Sequence, residues 1–259
     1  YAGAVDQCHN EARLLLRDAV YQRCARSLIH IEPPPQVYRE RRDFFGNRVA
    51  YFAIQERHSR LLVSATSEVE VEAPGHIDFS RSLAWEKARP PAADWGLQEG
   101  GSAYLYVLDS PLVQLSAKAR EYAELSFAPG RPLLEVAFDL MGRIYRDYTY
   151  VPGFTAITTP LDEVMEHRKG VCQDFAHVAI ACLRSMGLPA RYVSGYLETL
   201  PPPGQEKLVG ADASHAWFAV FDPAMGWIDF DPTNDKMAGE QHLTAAWGRD
   251  FSDFSPLKG

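Results

Sequence analysis

The segment from Gly170 to Asn234 constrains the fold more than any other part of the 259-residue chain. Phe175, Val178, Ala179, Cys182, Leu183 and Met186 recur at steps of three and four, which is one apolar face of an α-helix. Gly187-Leu188-Pro189 stops that helix, because glycine accepts the left-handed turn and proline cannot continue the hydrogen-bond ladder. Beyond it, Ser214 to Val220 and Trp227 to Asn234 read as strands on either side of the turn Asp222-Pro223-Ala224-Met225-Gly226. A hairpin of this kind can set His215 beside Asp231 on adjacent strands, both facing the start of the helix.

Earlier residues read as β structure, in keeping with 18 glycines and 18 prolines. Ser67 to Glu72 alternates apolar and charged residues, the mark of a half-exposed strand. Phe44-Phe45-Gly46-Asn47-Arg48 reads as a hairpin turn leading into the apolar run Val49 to Ile54. Leu28 to Ile31 ends at Pro33-Pro34-Pro35, where missing amide protons end strand pairing. Together these predict a small antiparallel sheet or sandwich.

Prolines and glycines between Pro74 and Gly101 mark a connection, in which Trp85 and Trp95 are expected to pack on a surface. The predicted division is residues 1–100 for a β-rich domain with its connector and 101–259 for a second domain. In the latter, Leu134, Ala137, Phe138, Met141, Ile144, Tyr145 and Tyr148 trace a helix face. Thr159-Pro160-Leu161-Asp162-Glu163 reads as a helix start, with threonine as cap and Gly170 ending that helix.

A net charge of −8 repels a phosphate backbone, so nucleic acid is not an expected partner. No apolar run approaches the roughly 18 residues that span a bilayer, so no membrane is expected either. The four cysteines form no CxxC pair. They are expected as reduced thiols of a cytoplasmic protein, although a Cys8–Cys24 disulfide and export both stay open with a chain that starts at Tyr1.

Cys172 stands at the amino end of the helix described first, on its inward side. Unpaired amides and the helix dipole there favour thiolate and offer the Cys172 N–H to an oxyanion. Cys182, in mid-helix and ringed by apolar residues, reads as a packing residue. A thiolate nucleophile needs a base and a group to hold that base. His215 opens one strand of the hairpin and Asp231 closes the other. Asp229 shares the parity of Asp231, but Asp231 lies at the strand end before a proline, where a carboxylate can turn inward. His177 is five positions after Cys172 and faces elsewhere, His167 reads as solvated, and His242 belongs to the tail.

Gly170-Val171-Cys172-Gln173-Asp174-Phe175-Ala176, with Gly187-Leu188-Pro189-Ala190-Arg191-Tyr192-Val193-Ser194-Gly195-Tyr196, resembles the core of the bacterial transglutaminase-like superfamily. Ser214-His215-Ala216-Trp217 and Gly226-Trp227-Ile228-Asp229-Phe230-Asp231-Pro232-Thr233-Asn234 resemble its second and third blocks, in the right order. The likeness is close from about residue 130 to 235, and Asp43-Phe44-Phe45-Gly46-Asn47 resembles the amino-terminal domain that accompanies this subfamily.

The resemblance implies a papain-like α+β fold, a Cys172–His215–Asp231 triad and cysteine-dependent acyl transfer on peptide or protein amides through a thioester. Hydrolysis, as in a cysteine protease, is expected over cross-linking, with no metal and no cofactor. The second oxyanion donor stays open between the Gln173 region and Tyr150, and Trp217 is a further candidate at the substrate wall. Two other readings stand beside this one: a binding module on the same fold, and a zinc site through Cys172 and His215, which lacks further ligands at recognisable spacing. The loop from Leu200 to Lys207 is either a cleft rim or a solvated connector.

Overall fold

A computed structural model describes residues 3–89, 103–200, 204, 207–211 and 213–259. Trp95 and most of the proline loop after Leu200 lie outside these residues. The first part of the chain carries strands β1 (Cys8–Ala12), β2 (Gln22–Glu32), β3 (Val37–Arg42), β4 (Arg48–Ile54) and β5 (Leu62–Val71). Helices α1 (Ala117–Glu124) and α2 (Leu133–Asp147) follow, then β6 (Thr149–Tyr150), α3 (Leu161–His167), β7 (Lys169–Gly170) and α4 (Cys172–Ser185). The chain continues through β8 (Ala190–Leu197), β9 (His215–Asp222), β10 (Gly226–Asp231), β11 (Lys236–Met237), β12 (His242–Gly248) and β13 (Leu257–Lys258).

The expected hairpin joins β3 to β4, and β2 pairs antiparallel with β5. A five-stranded antiparallel sheet in the order β11-β10-β9-β8-β12 forms the heart of the second half. Helix α4 lies against it and is buried on every side, not only on the face marked by periodicity. Its floor includes Phe218 and Phe230, whose rings stack at 5.5 Å, and α1, α2 and α3 pack against its other sides. Leu188 N–H to Leu183 O (3.0 Å) and Gly187 N–H to Arg184 O (2.8 Å) end α4 in a Schellman turn, with Gly187 at φ +78°.

Two sequence expectations need correction. In α2, Phe138 and Tyr145 are exposed, while Leu133, Val136 and Leu140 join the buried set; the helix has cover on two sides, which shifts the buried stripe. In α3, Thr159 is not the cap. Its Oγ1 instead accepts from Ala156 N–H at 2.9 Å, Pro160 stands at the cap position, and left-handed Arg168 ends the helix.

β12 is the sheet's outer strand, and its free edge is occupied by side-chain amides from the first half of the chain. Gln22 Nε2 donates to Thr244 O at 2.8 Å and its Oε1 accepts from Thr244 N–H at 2.7 Å. Asn47 repeats the pattern on Trp247, at 2.8 and 3.0 Å. Each amide substitutes for the next strand, satisfying backbone groups that would otherwise invite edge pairing. The chain also returns to the first sheet, ordered β13-β1-β4-β3. Trp85 is buried with its ring 5.2 Å edge-on from Phe127. Among the described residues, no helix is long and apolar enough to cross a membrane.

Candidate active site

Cys172 is the first residue of α4, nearly buried at 9% exposure. First-turn amides have no intrahelical acceptor, so they present partial positive charge beside the thiol. Asp174 holds this helix start in place. Its Oδ2 accepts from Val171 N–H at 2.8 Å and from Thr155 Oγ1 at 2.6 Å. Burial raises the Asp174 pKa, and these two hydrogen bonds oppose the rise. A side chain at Gly170 would collide with that carboxylate.

β6 and β7 pair in parallel with Tyr150 opposite Gly170, which brings Tyr150 to the thiol. Burial, and then the Cys172 charge, push its phenol pKa up. The Tyr150 ring sits edge-on to Phe175 at 6.3 Å, and its hydroxyl makes no hydrogen bond among the described residues.

His215 opens β9, and Asp231 closes β10 on the neighbouring strand. His215 Nε2 donates to Asp231 Oδ2 at 2.9 Å, with both side chains sealed from solvent. The other ring nitrogen, Nδ1, is buried without a hydrogen bond among the described residues. It is the nitrogen left for the thiol. Burial works against charge on His215, but hydrogen bonding and the charges of Asp231 and Cys172 outweigh it and raise the imidazole to about 9. The surroundings thus favour the protonated ring, held between Asp231 and Cys172. Burial likewise opposes the Asp231 anion, but the bonds from His215 and His242 prevail and hold it well below the usual carboxylate range.

Three residues around this pair were not given a role by the sequence reading. His242, assigned there to the tail, places Nε2 3.2 Å from the same Asp231 Oδ2, and its Nδ1 accepts from Gly239 N–H at 3.3 Å. That acceptance leaves the proton on Nε2, pointing at the carboxylate. Asn234 Nδ2 donates to Asp231 Oδ2 at 2.7 Å while its Oδ1 accepts from Val209 N–H at 2.8 Å, tying the loop of residues 207–211 to the site. Gly210 in that loop has φ +90°, and a Cβ there would stand 2.6 Å from His215 Nδ1. Histidine at the mouth of a strand and asparagine just after an aspartate were the only available signals, and neither has a period.

Two further candidates have their side chains engaged elsewhere. Trp217 is wholly buried and donates its Nε1–H to Asp229 Oδ2 at 3.1 Å, so its one donor is already used. Gln173 turns away, Nε2 donating to Ile157 O at 3.4 Å on the surface. Asp229 serves Trp217 as acceptor, and burial raises its pKa. His177 is buried beneath Tyr192 and accepts from Phe251 N–H at 3.3 Å, with its pKa lowered by burial to about 4. Burial pushes the Cys182 thiol up to about 12, so it stays protonated. All four cysteines are free thiols.

The sheet, the enclosed helix and the strand order define a transglutaminase-like, papain-like core behind an amino-terminal β region. A family model of the transglutaminase-like superfamily matches residues 121–232, and one of the bacterial transglutaminase-like N-terminal region matches residues 1–70. The chain belongs to the transglutaminase-like superfamily. An uncharacterized protein of Mycobacterium tuberculosis H37Rv is 41% identical over 266 residues, covering 100% of this chain and 83% of its own length. A protein-glutamine gamma-glutamyltransferase of Pseudomonas aeruginosa is 37% identical over 87 residues, 33% of this chain and 13% of its own. The crystal structure of a candidate cysteine protease from Cytophaga hutchinsonii superposes with a TM-score of 0.78 at 24% identity, covering 99% of this chain and 81% of that one.

Proposed function

We propose that the protein is a cysteine-dependent amidase or peptidase, with Cys172 as nucleophile, His215 as acid and base, and Asp231 as the group that orients His215. The observation that carries this reading is a thiol at a helix start beside an imidazole whose far nitrogen is held 2.9 Å from a buried carboxylate. The Cys172 thiolate attacks the amide carbonyl, and the carbon–oxygen electron pair moves to oxygen. First-turn amides of α4 receive that oxyanion, with the Tyr150 hydroxyl as second donor. His215 gives its Nδ1 proton to the leaving amine, and the carbon–nitrogen bond breaks to leave a thioester. Water then adds, His215 takes its proton, and the thiolate leaves as the acid forms.

Hydrolysis is favoured over transamidation by the enclosure of the site. Cys172 is 9% and His215 1% exposed, which admits water more readily than a lysine side chain from a second protein. The test is iodoacetamide alkylation at pH 6, where an activated cysteine reacts at least about tenfold faster than a free thiol. Loss of that advantage in His215→Ala, and loss of amide hydrolysis in Cys172→Ala, is the expected result. Equal rates in His215→Ala and the unaltered protein would reject the pairing.

A further inference from the structure

On the sheet beside the triad, between β12 and the first half of the chain, lies a cavity of about 90 Å³. Arg191, Trp227, Trp247, Asp229, Tyr21 and Gly239 contribute to its walls. Arg191 is only 8% exposed. Its guanidinium carbon sits 4.4 Å from the Trp227 ring centroid and 4.0 Å from that of Trp247, clamped between two indoles. It forms neither a hydrogen bond nor an ion pair among the described residues, and its Nε is fully enclosed without an acceptor.

Other buried arginines of this chain are furnished differently. Arg184 donates to the carbonyls of Ala190, Leu108 and Arg249 and to Ser110 Oγ, at 2.6 to 3.1 Å. Arg17, stacked on Trp247 at 3.3 Å, donates to Phe45 O and to Asn47 Oδ1. An indole face attracts the cation but accepts none of its five N–H groups in their plane. A buried guanidinium without acceptors carries a desolvation cost that an arriving anion removes.

We infer that this cavity is a binding site for a small monocarboxylate, its oxygens on the Arg191 fork and its apolar body against the indoles. The planar fork suits carboxylate and phosphate alike. Two features select the former. The indole walls reward an apolar body, and the nearby Asp229 carboxylate repels a dianion more than a monoanion. Asp229 already gives one oxygen to Trp217; its charge acts on Arg191, but no hydrogen bond or salt bridge joins the two among the described residues, so it does not fill the fork.

Tryptophan fluorescence reads the site directly, since Trp227 and Trp247 form its walls. Propionate is titrated at constant ionic strength against chloride and phosphate. A saturable response to propionate, with phosphate at least about tenfold weaker, is expected. Arg191→Met should abolish it. Because that variant alters a buried stack, Ala19→Leu provides an independent check: Ala19 lines the cavity and is half-buried, so the longer side chain crowds it. Its response should fall at least tenfold while Cys172 alkylation persists, which reports an intact fold and separates this site from the thiol chemistry. An unsaturable response, an equal response to phosphate, or propionate binding unchanged in both variants would overturn the inference.

Discussion

His242 Nε2 lies 3.2 Å from Asp231 Oδ2, the oxygen that already accepts from His215. Asp231 therefore receives two imidazoles, an asparagine amide and, on Oδ1, the Thr233 N–H at 2.9 Å. A carboxylate so surrounded stays ionised and cannot rotate. In the proposed mechanism the second histidine acts through Asp231, as a positioning residue.

Replacing His242 by leucine removes one charge-assisted bond, worth about 1.5–3 kcal/mol. The expected result is a fall of roughly tenfold in Cys172 alkylation at pH 6, with the acid limb of its pH profile displaced. His242→Gln, which restores a donor, should recover most of the rate. Loss of stability alone, with an unchanged profile in the leucine variant, would reduce His242 to a packing role.

Asp231→Asn preserves shape but offers an amide where His215 needs an acceptor. Turnover is expected to fall roughly 10³- to 10⁴-fold while the chain stays folded. Circular dichroism and a peptide-amide hydrolysis assay check the two halves of that statement.

The folded pKa of His215 is raised, from an ordinary 6.5 to about 9. Its contribution to stability is thus complete below the unfolded imidazole value and disappears as pH rises through about 9. Asp231 is depressed, so its contribution is present above the ordinary carboxylate range and fades only as pH falls through its lowered value. Urea midpoints of the unaltered protein and His215→Gln should differ most near pH 6 and converge by pH 10.

Gly210→Ala forces a side chain onto a backbone at φ +90° and against His215 Nδ1. A cost of about 1–3 kcal/mol is expected from the backbone alone, together with slower alkylation of Cys172. Thermal melts and alkylation rates measure both. Unchanged values would show that the loop of residues 207–211 moves aside at no cost.

Trp217→Phe keeps the aromatic body and removes only the donor to Asp229. Stability should fall by about 1–3 kcal/mol, with amide hydrolysis retained. A strong rise in KM at full stability would return Trp217 to the substrate wall.

Helix α4, the β9–β10 hairpin and the pairing of His215 with Asp231 were legible in the sequence because each leaves a local trace: a period, a turn, a strand end. His242 left only its place at the mouth of a strand. It reaches Asp231 because β12 pairs antiparallel with β8, which sets its first residue at the end of the sheet where β9 begins and β10 ends. Gln22 and Asn47 were silent, since the Gln22 amide contacts lie 222 positions away along the chain. The side-chain partners of Trp217 and Gln173 were hidden for a related reason. Their sequence neighbours are site residues, but strand geometry and a surface carbonyl decide where their side chains point. The exposure of Phe138 depends on what covers α2, which periodicity does not report.

The pairing of β1 with β13 gives the order of synthesis a physical consequence. β1 can meet β4 early, but its other edge has no partner until β13 leaves the ribosome. At about 5–20 residues per second, that edge stays open for roughly 10 to 50 seconds of translation. During that interval it is a template on which a neighbouring nascent chain can pair. Vulnerability to misassembly is therefore concentrated at β1 and lasts until β13 has been made.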